Sequence, residues 1–298
     1  MSLRLPHTIA AIGTFALGPV LLGAQRSPNV PVISVAGEGP ETVVLISGLV
    51  GGVDGFRRLE ARLLARNHRV IIINPYFLSI DSADVSFDAL ARRVDRVLDS
   101  LAVTGARVAG HGHGGGVAIR LAANAPERVS ALYLLDMGAS AVNRSPVFSR
   151  SVRLIPLIAK LPGGRTFIRK RFIRGLGESS GHDAWLDAET KRAYTEPMLA
   201  EIDRVIAMAL RLALAEEPDP LPTLIRRLRI PVTVLLGAAP HTAGPTAEEM
   251  RALEPLGSLL RVRHLPGVGH FPHEEAPDEV VRHLVDPARS ILLSFTEP

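Results

Sequence analysis

The chain has no cysteine. That excludes disulfides, thiol nucleophiles and thiolate metal sites, so packing alone must hold the fold together. Aromatic residues are also scarce, with nine Phe, three Tyr and one Trp in 298 residues. No nucleic-acid recognition motif accompanies them, and no nucleic-acid partner is expected. Acids are missing from one stretch. Residues 144–174 carry nine Lys or Arg and no Asp or Glu, within a chain of net charge +4 and pI about 9.9. Such a stretch reads as a solvated helical face or as a surface for an anionic partner or a membrane.

Long apolar runs are missing too. Residues 9–23 form an uncharged apolar run of about 15 residues, short of the ~20 that span a bilayer. Arg4 and His7 precede it and Leu22-Gly23-Ala24 closes it. This pattern reads as a cleaved signal peptide over residues 1–25, which makes the protein exported, periplasmic or secreted. An uncleaved anchor is the alternative.

What remains is enough for one large domain with an insertion. Residues 30–35 and 42–46 are apolar, β-branched strands flanking Gly37-Glu38-Gly39-Pro40, which reads as a hairpin. A strand at 69–73 stops at Asn74-Pro75. Phe87, Leu90, Val94, Val97, Leu98 and Leu101 recur at helical spacing. Residues 107–109 and 131–135 read as strands around a helix at 113–124, and 232–236 and 260–264 as strands around a helix near 247–256. This alternation predicts an α/β fold, a doubly wound, mostly parallel sheet with helices on both faces and its site beyond the carboxyl ends of the strands. Residues 137–223 break the alternation. They read as a helical cap inserted between two strands, leaving residues 26–136 and 224–298 as the core.

Four segments carry chemistry-bearing patterns. Val44-Leu45-Ile46-Ser47-Gly48-Leu49 is a strand running into a glycine loop. Val108-Ala109 runs into Gly110-His111-Gly112-His113-Gly114, a sharp strand-to-helix turn of the Gly-x-nucleophile-x-Gly type. Pro231-Val232-Thr233-Val234-Leu235-Leu236-Gly237 is a buried strand. Gly267-Val268-Gly269-His270-Phe271-Pro272 is a glycine-flanked histidine loop. In that order, the four resemble the α/β-hydrolase superfamily, in its capped esterase, epoxide-hydrolase and dehalogenase-like branch. The resemblance implies a nucleophile at position 112, oxyanion-holding amides on Leu49 (after Gly48) and on His113, and a catalytic histidine at His270. It implies no cofactor. The Gly-rich run 110–116 also lacks the acid expected of a dinucleotide fingerprint.

The chain departs from that pattern twice. Gly112 stands at the nucleophile position and has no side chain, so acyl transfer to residue 112 is impossible. The usual acid position after the 232–236 strand reads Ala238-Ala239-Pro240, followed by His241. Some relatives, such as haloalkane dehalogenases and the cofactor-free dioxygenases, carry the acid at the end of the strand after the elbow helix. Here that position is Asp136, and a His270–Asp136 dyad is implied. Ser47 is a poor substitute nucleophile, because that side chain normally lies behind the loop. Gathering of His111, His113, His241, His270 and His273 around a metal is disfavoured, since alternate side chains in the turn diverge; no metal is expected.

Two readings stay open. One is an enzyme acting on a small or lipid-like ester-type substrate, with His270 as general base over the space at Gly112. The other is a catalytically inactive homologue that binds a ligand or partner. The expected partner is a small apolar or anionic molecule, with membrane-surface contact through the basic cap.

Overall fold

The computed structural model describes residues 31–138, 146–241 and 243–285. The expected signal peptide lies outside them. In chain order, the core opens with β1 (Ile33–Ala36), β2 (Glu41–Ile46), α1 (Arg57–Leu64), β3 (His68–Ile73), the short α2 (Pro75–Leu78), α3 (Phe87–Ser100), β4 (Ala106–His111), α4 (His113–Asn124) and β5 (Val129–Leu135). Five helices follow before the next strand: α5 (Pro146–Lys160), α6 (Gly164–Glu178), α7 (Ala188–Ala200), α8 (Ile202–Leu214) and α9 (Leu221–Ile225). The core closes with β6 (Val232–Gly237), α10 (Ala247–Leu253), β7 (Leu260–Leu265), α11 (Pro272–Glu275) and α12 (Pro277–Val285).

The seven strands form one sheet in the order β1-β3-β2-β4-β5-β6-β7, parallel except for β1. Burial on both faces explains the unbroken apolar runs. On β2, Val43 and Leu45 face a layer containing Leu59 and Leu63 of α1 and Val280 and Leu284 of α12, while Val44 and Ile46 face Leu90 and Val94 of α3 and Val117 of α4. All four β2 residues have no exposure. Each fully buried aliphatic side chain contributes roughly 1.5–3 kcal/mol, so β2 anchors the sheet.

The expected N-terminal hairpin is wrong. β1 pairs antiparallel with β3, Ile33 opposite Ile73, and β3 separates it from β2. Alternation marks a strand but not its partner. β2, buried on both faces, takes parallel neighbours on both sides, and the 37–40 link crosses the start of β3. It lies backbone to backbone there. A Cβ at Gly39 would stand 1.7 Å from the Asn67 carbonyl oxygen, so no other residue fits the crossing.

From β2 the chain winds one way to β3, then returns through α3 to β4 and winds the other way to β7. This reversal opens a crevice between the carboxyl ends of β2 and β4. Gly48 and Gly112 sit at those two ends, and the cap helices α5–α8 stand over them.

Candidate active site

The turn from β4 into α4 is built of glycines for two different reasons. A Cβ at Gly110 would stand 2.4 Å from the Gly114 carbonyl oxygen, and one at Gly114 would stand 2.5 Å from the Ile46 and Ser47 oxygens. Those two are glycine because β4, α4 and β2 touch through their backbones. Gly112, at the apex, differs. Its φ of +52° and ψ of −126° are strained for any L side chain. Yet a Cβ there would meet only the His270 ring, Cε1 and Nε2 both at 3.5 Å. Gly112 therefore has room for a side chain and lacks one.

His270 faces that room. Its Nδ1 lies 2.8 Å from Asp136 Oδ2. An ionised carboxylate only accepts, so Nδ1 carries the proton and Nε2 presents its lone pair toward Gly112. Asp136 follows β5, is 1% exposed and holds φ at +43°, a conformation that Asp tolerates better than most residues. Its Oδ1 accepts the Gly237 amide at 3.1 Å. The structure thus brings together the Gly112, His270 and Asp136 picked out in the sequence.

The histidine loop is fixed from both sides. Glu275 of α11 accepts the Gly269 amide at 3.0 Å and the Phe271 amide at 3.1 Å. It also accepts the Gly181 amide from the cap at 2.7 Å, while the His270 amide donates to Ser179 at 2.8 Å. The cap is therefore bonded directly to the loop that carries His270. Sequence reasoning missed this clamp, because nothing in the spacing of 179–181 and 275 brings them together.

The remaining predicted residues fall into place around this centre. The His113 amide is the first of α4 and has no intrahelical partner. Gly48 packs on His111, its Cβ position 3.1 Å from the His111 carbonyl oxygen, which sets the Leu49 loop beside the elbow. Both amides suit an oxyanion. The His113 ring turns to Phe87, 5.7 Å between centroids; burial, then the nearby His270, lower its pKa to about 4. His111 is buried and donates from Nε2 to the His270 carbonyl at 2.8 Å; burial, then His270, lower its pKa to about 3. Ser47 is buried. His273 stacks on His111 at 4.2 Å and hydrogen-bonds the Tyr194 hydroxyl of α7 at 3.3 Å. His241 was considered in the sequence only as a metal ligand. Its Nε2 lies 2.9 Å from the same Asp136 Oδ2 that His270 engages. Polar atoms of Asp136, His241 and His270 lie within 4.8 Å of one another. Both ring nitrogens are directed at one carboxylate oxygen, so hydrogen bonds account for the cluster.

Between the Leu49 loop and the cap lies a cavity of about 200 Å³, walled by Leu49, Val50, Phe77, Ile155, Phe172 and Met198 among others. Its lining is almost wholly apolar and does not include Gly112 or His270; it adjoins them through Leu49. It is small beside the roughly 300–1,000 Å³ of usual ligand pockets.

A mostly parallel sheet flanked by helices, with a strained strand-to-helix elbow and a histidine on a carboxylate, is the arrangement of an α/β-hydrolase. Residues 43–283 match the model of the Alpha/beta hydrolase family, and the chain belongs to it. Over 101 residues it is 38% identical to a protein of Azorhizobium caulinodans assigned as the carbamate hydrolase RutD; that match takes in 33% of this chain and 38% of the other. Over 260 residues it is 22% identical to the sn-1-specific diacylglycerol lipase ABHD11 of Mus musculus, covering 80% of this chain and 77% of that one. Among solved structures, a thermophilic esterase from Thermogutta terrifontis superposes with a TM-score of 0.63 at 21% identity, over 87% of this chain and 93% of its own.

Proposed function

We propose that this chain hydrolyses a small or lipid-like ester-type substrate without an acyl-enzyme, using water activated by His270. What carries the reading is the pair of distances on one ring. Nδ1 is 2.8 Å from Asp136, and Nε2 is 3.5 Å from where a serine Cβ would stand. Water in that space gives its proton to Nε2 as its oxygen bonds to the substrate carbonyl carbon. The Leu49 and His113 amides hold the oxyanion. Collapse breaks the carbon–oxygen bond to the leaving alcohol, which takes the proton back from His270. Asp136 orients the ring and stabilises its charged form. The acyl group has the apolar cavity beside Leu49, whose size favours short or slender chains.

Assays with chromogenic esters of two to twelve acyl carbons test this. Turnover that peaks at short chains and is lost in His270→Ala supports it. Absence of turnover in the native protein, with turnover appearing in Gly112→Ser, assigns the fold instead to ligand binding.

The outer face of the cap supports a finer proposal, contact with an anionic membrane surface. Leu154 and Leu157 on α5, Leu161 in the turn after it and Phe167 on α6 are each 55–61% exposed, among exposed Arg153, Lys160, Arg165, Arg169 and Lys170. Apolar side chains ringed by cations suit an anionic lipid interface. Among the described residues no helix is long and apolar enough to cross a membrane. Export directed by residues 1–25 belongs to the same proposal, and is tested by the mass and location of the mature chain. Co-sedimentation with phosphatidylglycerol vesicles but not phosphatidylcholine vesicles, weakened in Leu157→Glu, supports the lipid contact; equal binding to both opposes it.

A further inference from the structure

The reaction above leaves His241 unused, although it touches the same carboxylate as the base. His241 leaves the loop after β6, one residue past Pro240, and reaches across to the end of β5. Its Nδ1 is 2.7 Å from the Ala239 carbonyl oxygen and its Nε2 is 2.9 Å from Asp136 Oδ2. Both partners are acceptors. A neutral imidazole has one N–H, so it would satisfy one contact and set a lone pair against oxygen at the other. Only the doubly protonated ring satisfies both. We infer that His241 is an imidazolium paired with Asp136, and that it is a positioning residue that fixes the carboxylate on which His270 is oriented.

Every group facing the ring is consistent with this. Asp136 comes from the end of β5, His270 from the loop after β7 with its ring centroid 6.2 Å away, and Glu275 from α11. Gly244, from the same loop as His241, packs against Nε2, where a Cβ would stand at 3.1 Å. Burial works against the charge on His241. The Ala239 carbonyl, Asp136 and Glu275 outweigh it and raise the pKa of the ring.

The consequence falls on His270. In a lone His–Asp pair the carboxylate both orients the ring and favours its protonation. Here the carboxylate is also held by a cation, which fixes the oxygen that orients His270 through the 2.8 Å bond. The folded state raises the pKa of His241, so the ion pair is fully present below the free histidine value and is lost as pH rises through the raised one. Above that point Asp136 carries an unbalanced charge.

Nitrogen-15 NMR of the histidine-labelled native protein tests this without any substrate, so a failure of ester turnover is read separately. His241→Gln assigns the His241 signals by their loss. At pH 7 both His241 nitrogens are expected to be protonated, with a midpoint above that of a free histidine. In Asp136→Asn that midpoint should fall. In His241→Gln the His270 Nδ1 resonance should move, because the carboxylate oxygen it bonds has lost its second partner. One bare nitrogen on His241 at pH 7 overturns the inference. So does an unchanged His270 Nδ1 resonance in His241→Gln. Added zinc that deprotonates both rings at stoichiometric concentration also overturns it, by making the cluster a metal site.

Discussion

The ends of β4 and β5 lie side by side in the sheet, and both turn sharply through a residue of positive φ. At the end of β4 that residue is Gly112, at +52°; at the end of β5 it is Asp136, at +43°. Glycine takes the conformation at little cost, whereas a residue with a side chain gives up on the order of 1–2 kcal/mol there. The molecule thus keeps a strained, buried side chain at β5 and forgoes one at β4. Strain that persists calls for a reason. The carboxylate of Asp136 supplies one, since it takes the Gly237 amide and two histidines at once. In this protein the elbow keeps its sharp turn without a side chain, and under the proposed mechanism the chemistry shifts to the carboxylate one strand along.

Removing Asp136 at the end of β5, or the His270 it holds, should have the largest effects. His270→Ala is expected to lower ester turnover by about 10³-fold, and Asp136→Asn by about 10²-fold or more, since the ring loses its tautomer and orientation. Rates against protein concentration check this; retention of most activity in either variant would move the chemistry elsewhere.

Restoring the β4 side should work in the opposite direction. Gly112→Ser puts Oγ within reach of His270 Nε2 and should raise turnover at least tenfold with a pre-steady-state burst. The same φ should destabilise the fold by about 1–2 kcal/mol, a melting shift of about 2–4 °C. Gly112→Ala shares the strain but fills the water's place, and should lose turnover.

The cap comes next. A Cβ at Gly51 would stand 2.8 Å from Tyr194 Cε1, so Gly51→Ala must push α7 off the Leu49 loop. A loss of about 1–3 kcal/mol in denaturant unfolding is expected, with KM changed more than kcat. An unchanged KM would show that cap docking does not shape the cavity.

The smallest effect concerns Glu274, fully buried between Arg57 and Arg58 at 3.3 and 3.4 Å. Burial raises its pKa to about 7 against the two guanidinium charges. Because the folded value lies above the unfolded one, the contribution of its protonated form is full below about 4.5. It is lost as pH rises through 7. Glu274→Gln removes that slope. Its melting temperature should gain on the native protein between pH 5 and pH 8; parallel curves would contradict the assignment.

Much of this was legible before any coordinates. The four segments in order identify the fold, and Asp136 stands out as an acid ending the strand after the elbow helix. Three features were not legible. The partner of β1 depends on which strand the sheet buries on both sides. The contact between His241 and Asp136 joins loops 105 residues apart. The clamp from Glu275 to Gly181 forms only once the cap is seated. Each arises from strand order and docking, which leave no period in the chain.

Intact-protein mass spectrometry during turnover of a short chromogenic ester tests the shift from β4 to β5 most directly. Steady product release that depends on His270 is expected, with the native protein mass unchanged at every time point, and an acyl adduct only in Gly112→Ser. An acyl adduct on the native chain, or turnover undiminished in His270→Ala, would contradict it.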